Sequence, residues 1–200
     1  MKNTVDKLIK FGVWVTAIFF VIRCIPSFGV LTGLWKSRDF LGLIYNIISY
    51  VGEAIAVGLI IVKLFDLWIW KLKFIQKIHR IPVLAKDYKG KLTSSFDNKD
   101  YKGNLTINQT FTKLSIKFKS NESSSYSIVA SIIDNNDTNQ MIYTYQNDPK
   151  ANIQSRSPIH YGTAILSVDD VSKIEGNYFT SRGSVGYMVF TSKSEDKKKK

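Results

Sequence analysis

An apolar run from Phe40 to Val62, interrupted by the single charge of Glu53, decides most about this chain. It is long enough to cross ~30 Å of hydrocarbon at ~1.5 Å per residue. A second run precedes it, from about Leu8 to Ile25, with Lys10 and Arg23 near its ends where long side chains reach the interface. Lys2 and Lys7 ahead of that run would also suit a signal peptide. However, Arg23-Cys24-Ile25-Pro26 follows, with no small-x-small cleavage site and no small residues ahead of Cys24 for lipid attachment. Both runs are therefore read as transmembrane helices.

Basic residues orient the pair. Lys2, Lys7 and Lys10 lie before the first span, and Lys63, Lys71, Lys73, Lys77 and Arg80 follow the second. The short connecting loop has only Lys36 and Arg38, with Arg23 at its edge. The positive-inside rule places both termini of this multi-pass chain in the cytoplasm. Trp68 and Trp70 read as interfacial anchors, on a helix expected to run toward Arg80 until Pro82 stops it. Glu53 falls near mid-membrane, where a charge faces a partner or water. Gly52 with Ala56, and Ala54 with Gly58, have the four-residue spacing that lets helices approach closely. These features fit either simple pairing of the two helices or assembly of several chains.

From Tyr88 the periodicity becomes two. Candidate strands are 88–96, 103–109, 113–120, 125–133, 141–147, 159–168, 173–181 and 184–192, separated by turn-forming Asn, Asp, Pro and Gly. Leu114, Ile116 and Phe118 alternate with Ser115, Lys117 and Lys119, as in a sheet wet on one face. Eight sequential strands with short turns predict an eight-stranded up-and-down, lipocalin-like barrel, with a sandwich as the structural alternative. The expected division is a two-helix transmembrane anchor (1–81), an all-β barrel (82–193) and a basic tail (194–200), whose Lys197–Lys200 run suits anionic headgroups.

In such a meander, chain direction sorts the loops into two ends. The end away from the membrane collects Ser94, Ser95, Ser123 to Ser125, Asn147, His160, Thr180, Arg182 and Ser184. Tyr178, Thr180 and Arg182 share one face of the seventh strand and point into the mouth if that face is inward. Arg182 can hold a phosphate bidentately. Tyr88, Tyr126, Tyr143, Tyr145 and Tyr178 supply planar faces for bases, although tyrosines inside a small barrel also serve as core. Catalytic constellations are missing. The only two histidines are His79 and His160, and there is no Gly-rich phosphate loop, nucleophile elbow or CxxC. No metal, no cofactor and no enzymatic activity are expected. The lone Cys24 excludes an internal disulfide, and the net charge of +12 suits anionic lipid or a phosphate-bearing ligand.

Several short motifs occur in a distinctive order: Tyr88-x-Gly90-x-Leu92-x-Ser94-Ser95, Ser123-Ser124-Ser125, and Tyr143-x-Tyr145-x-Asn147-x-Pro149. His160-Tyr161-Gly162-Thr163-Ala164, Glu175-Gly176-x-Tyr178-Phe179-Thr180-x-Arg182 and Gly186 follow. With two N-terminal spans, this resembles the two-transmembrane, β-strand-rich effectors associated with bacterial CD-NTase enzymes in CBASS antiphage defence. Tyr88 stands where that resemblance leads one to expect Trp. The resemblance implies a cytoplasmic barrel that senses a cyclic di- or oligonucleotide, a homo-oligomer, and transmembrane helices that disrupt the bilayer. It implies no DNA or RNA partner. In the related Panoptes arrangement the nucleotide instead holds the effector silent. The ligand set expected is Arg182, Thr180, Tyr178, Ser94, Ser124, Tyr145, Asn147, His160 and Tyr88. A membrane-tethered binder of a lipid or other apolar ligand, and a non-catalytic membrane scaffold, are the competing functions.

Overall fold

The computed structural model of the chain describes residues 2–135 and 138–192. The expected turn at 136–137 and the basic tail at 194–200 lie outside the described residues. The chain divides into two compact units, Lys2–Leu72 and a second beginning at Lys73.

The first unit holds helices α1 (Lys2–Cys24), α2 (Phe28–Lys36) and α3 (Phe40–Leu67). Helix α3 is long and apolar enough to cross a membrane, whereas α1 meets that test only together with α2, from which it is bent by 67°. The unit thus carries one or two candidate spans. Pro26 sits in the break, where it lacks a backbone donor and disfavours helical geometry at the residue before it. The predicted loop between the spans therefore contains a helix, because Phe28–Trp35 continues the apolar run past the proline. Asp39 caps α3 by accepting a hydrogen bond from the Gly42 amide at 2.9 Å.

Only one of the two small-residue faces is used within the chain. Gly58 is covered by Thr16 and Gly12 lies against Val62, so α1 and α3 approach closely there. Gly52 has open space beside it. Arg23, expected near the end of its span, has partners within the helical unit. Its Nε lies 2.6 Å from Glu53 Oε2, its Nη1 donates to Ser27 Oγ, and its guanidinium sits 4.2 Å from the Tyr50 ring centroid. In an apolar medium each charge carries a desolvation cost, and pairing offsets part of it.

The helix expected to continue toward Arg80 is broken. Trp68 leaves helical geometry at φ −134, one 3-10 turn covers Ile69–Lys71, and Leu72 is extended. The fully buried Trp70 explains the break, since burying a large ring outweighs a few helical hydrogen bonds. A short helix α4 (Lys73–His79) opens the second unit.

Eight strands follow: β1 (Asp87–Ser94), β2 (Asp100–Gln109), β3 (Leu114–Ser120), β4 (Ser123–Asn135), β5 (Thr138–Pro149), β6 (His160–Ser167), β7 (Lys173–Thr180) and β8 (Val185–Ser192). Every expected strand is present within a few residues of its predicted limits. Each pairs antiparallel with its sequence neighbour, and β1 pairs with β8 from Tyr88↔Ser192 to Ser94↔Gly186, so the sheet closes into a barrel rather than a sandwich. Closure leaves no unpaired edge.

The inward residues are graded along the barrel. On β5 they run Met141, Tyr143, Tyr145, Asn147, and on β7 from the fully buried Ile174 to Tyr178 and Thr180. One end is thus an apolar plug and the other a polar mouth. The plug includes Tyr88, Leu105, Leu166 and Phe190, all fully buried, each stabilising the fold by about 1.5–3 kcal/mol. Gln109 closes that end, accepting from the Leu84 amide and donating to the Pro82 carbonyl, each at 2.9 Å.

A bulge in β4 shifts the register between Ser127 and Val129. Ala130 is buried with its side chain inward, while the adjacent Ile128 and Val129 are both exposed. One extra residue reverses the alternation, so the odd-numbered Ser123 and Ser125 face the interior on the mouth side.

Candidate functional site

The mouth forms where β1, β3, β5 and β7 end and the following strands begin, and its connections are 95–99, 121–122, 150–159 and 181–184. Seven of the nine residues expected at the site line one cavity here: Ser94, Tyr145, Asn147, His160, Tyr178, Thr180 and Arg182. Ser124 and Tyr88 are not among them. The β4 bulge turns Ser123 and Ser125 inward and puts Ser124 on the outer face. Tyr88 begins β1 at the opposite end, six residues and about 20 Å of strand from Ser94. Its hydroxyl accepts from the Ala85 amide at 2.9 Å and donates to the Val171 carbonyl at 2.8 Å, which makes it part of the plug.

Two tyrosines form the floor. Tyr145 lies across from Gly162 and Tyr178 across from Gly186. A Cβ on either glycine would collide with the facing ring, so each glycine lets a tyrosine lie flat against the barrel wall. Burial pushes both hydroxyls above the usual tyrosine range, while Arg182 pulls both back. Around them Ser125, Asn147, His160 and Ser184 are each only 8% exposed, and Thr180 Oγ1 lies 2.6 Å from Ser184 Oγ. The site thus combines aromatic faces with buried donors and acceptors.

The mouth has two guanidiniums rather than the one expected. Arg182 donates from Nη1 to Ser157 Oγ at 3.2 Å, with its Cζ 5.6 Å from the Phe96 ring centroid. Arg156, in the β5–β6 connection, donates from Nη2 to Glu122 Oε2 at 2.6 Å. Both line the cavity with Glu122, Ser157 and Tyr101. The Tyr101 hydroxyl donates to Asp97, whose carboxyl this bond holds below its usual range. Burial first, and then the Asp97 charge, push Tyr101 up to about 12. The direction of β5 was the signal that could have found Arg156, because it sends the whole 150–159 segment to the mouth.

His160 is buried at the start of β6, with Nδ1 2.9 Å from the Pro158 carbonyl. Burial lowers its pKa, the carbonyl raises it and Arg182 lowers it, for a net shift downward. As pH falls, the unfolded chain takes up this proton before the folded one does. The stability contribution is therefore full above about pH 6.5 and is lost as pH falls from there toward the lowered folded value. His160→Gln should remove this segment of the acid-unfolding curve in circular dichroism melts across pH. A wild-type slope retained by the variant would assign the effect elsewhere.

Residues 79–192 match the family described as Cap15, cyclic dinucleotide receptor domain. The chain is 30% identical over 187 residues to CD-NTase-associated protein 15 of Staphylococcus schleiferi, covering 93% of this chain and 96% of that one. It is 29% identical over 188 residues to CD-NTase-associated protein 15 of Yersinia aleksiciae, covering 91% and 89% respectively. The matched segment takes in all eight strands and the whole polar mouth, and with relatives aligned nearly end to end the chain belongs to the Cap15 family, its barrel being that family's cyclic dinucleotide receptor domain.

Proposed function

We propose that the barrel mouth is the cyclic dinucleotide site, and that ligand binding controls assembly of a membrane-disrupting effector whose working part is the helical unit. The carrying observation is the pairing of two guanidiniums, Arg156 and Arg182, with the flat rings of Tyr145 and Tyr178 around one cavity. Guanidiniums suit the phosphodiesters, the rings suit the bases, and Ser, Thr and Asn suit the polar edges. On this reading both termini face the cytoplasm of a bacterial inner membrane, and the open face of α3 at Gly52 serves contacts between copies. The filled interior of the barrel leaves an acyl chain no lumen, which disfavours a lipid carrier.

Calorimetry of the full chain in nanodiscs against a panel of cyclic di- and trinucleotides tests this. Binding by at least one is expected, and silence across the panel overturns the reading. Arg182→Ala should weaken that binding by about 1.5–3 kcal/mol, the loss of a charge-assisted hydrogen bond. An unchanged affinity in a folded variant would remove Arg182 from the site.

A further inference from the structure

We propose that residues 150–159 form a lid on the mouth, and that Glu122 keeps it shut by holding Arg156 as a stand-in for the ligand's phosphate. The proposal rests on the mouth being the cyclic dinucleotide site. The segment joins β5 to β6 and is the longest connection at this end, containing a single 3-10 turn at Ala151–Ile153. Ile153, Arg156 and Ser157 from it line the same cavity as Tyr145 and Tyr178 from the barrel wall.

That cavity measures about 100 Å³. Sites for ligands of drug size are roughly 300–1,000 Å³, so a molecule with two bases and two phosphates needs the mouth to open. The strands cannot supply the room without breaking their ladders. The 150–159 segment can, because its fastenings are few and superficial. The Lys150 amide donates to the Glu122 carbonyl at 2.9 Å, Arg156 pairs with the Glu122 carboxylate, and Ser157 accepts from Arg182. Arg156 and Glu122 are 43% and 36% exposed, and solvent screening leaves an ion pair so exposed weak.

Two of these fastenings use the guanidiniums that a phosphate would claim. Carboxylate and phosphodiester present similar paired oxygens to a guanidinium, so one can replace the other on Arg156. Binding then frees Glu122 into solvent, undoes the Ser157–Arg182 bond and shifts the segment's tether from the rim to the ligand. Glu122 also repels an arriving anion. It thus sets how much ligand is needed, and the shape of the barrel rim comes to depend on occupancy.

Hydrogen exchange and calorimetry on the full chain in nanodiscs, with a panel of 2′,3′- and 3′,3′-linked cyclic dinucleotides, test the lid. Without ligand, both Glu122→Gln and Arg156→Gln should speed amide exchange across 151–157 by about two- to five-fold, as expected when an exposed local fastening is removed. Their affinities should move in opposite directions, Glu122→Gln binding about five-fold tighter and Arg156→Gln at least ten-fold weaker, since an exposed charge pair is weak and a charge-assisted phosphate contact is stronger. A merely structural ion pair would weaken binding in both. Glu175→Gln, which removes the Lys173 pair outside this cavity, controls for the change in net charge. Exchange unchanged in Glu122→Gln overturns the lid even if nothing binds. Equal or weaker binding by Glu122→Gln, where the wild type binds, overturns the stand-in role while leaving the receptor reading intact. Failure of the wild type to bind any member of the panel counts against the receptor reading, with the exchange result still deciding the lid.

Discussion

Phe190→Ala should destabilise the barrel by about 3–5 kcal/mol, the upper part of the range for truncating a buried ring. The ring is fully buried and meets Phe118 edge-on at a centroid distance of 5.7 Å. It also covers Gly90, its partner across the β1–β8 pair, which has no side chain to fill the gap left behind. Two neighbours that would normally relax into a cavity are therefore held, one by its glycine backbone and one by its own packing under Gly103. Urea unfolding of the full chain in detergent, followed by near-ultraviolet circular dichroism, measures the effect. A loss under about 1.5 kcal/mol, the scale of a volume-conserving swap, would mean that the plug is loosely packed. Because Phe118 also lines the mouth cavity, the same variant should weaken ligand binding without any change at the polar rim.

The second large effect is expected in the helical unit. Glu53→Ala leaves the Arg23 guanidinium without its 2.6 Å partner near the middle of α3. Arg23 keeps its bond to Ser27 Oγ and its place over the Tyr50 ring but loses its only counter-charge among the described residues, and an arginine without a counter-charge in a membrane segment is costly. Breaking one side of such a pair is worse than removing both, so Arg23→Gln with Glu53→Gln should be milder than Glu53→Ala alone. If the helical unit disrupts the bilayer as proposed, a potential-sensitive dye in cells that make the cyclic nucleotide signal should report loss of triggered depolarisation for Glu53→Ala. Partial recovery is expected in the exchanged pair Arg23→Glu with Glu53→Arg. Undiminished depolarisation by Glu53→Ala would leave the ion pair with no part in the effector's work.

Much of the barrel was legible in the sequence because its signals are local. Ser115, Lys117 and Lys119 alternating with Leu114, Ile116 and Phe118 specify a strand with one wet face, and Asp148-Pro149 or Gly183 end strands for reasons of backbone geometry. Strand direction then sorted the loops, which is how Ser94, Asn147, His160, Thr180 and Arg182 could be gathered before any contact was known. The same rule places Tyr88 at the far end and Arg156 at the mouth, since six residues of extended chain span the barrel and the 150–159 segment follows an outward strand.

What the sequence determined by itself was the apolar address of α3, the eight strands and their order, and a polar end to the barrel. What only the tertiary structure decided was side-chain parity and partnership. The β4 bulge flips the inward set from Ser124 to Ser123 and Ser125, and one unpaired residue in a ladder has no local signature among so many serines. Glu122 meets Arg156 across 34 positions and Arg23 meets Glu53 across 30. Such pairs come from chain closure and helix packing, forces that bring distant residues together without marking either one, so the charges could be read in advance and their partners could not.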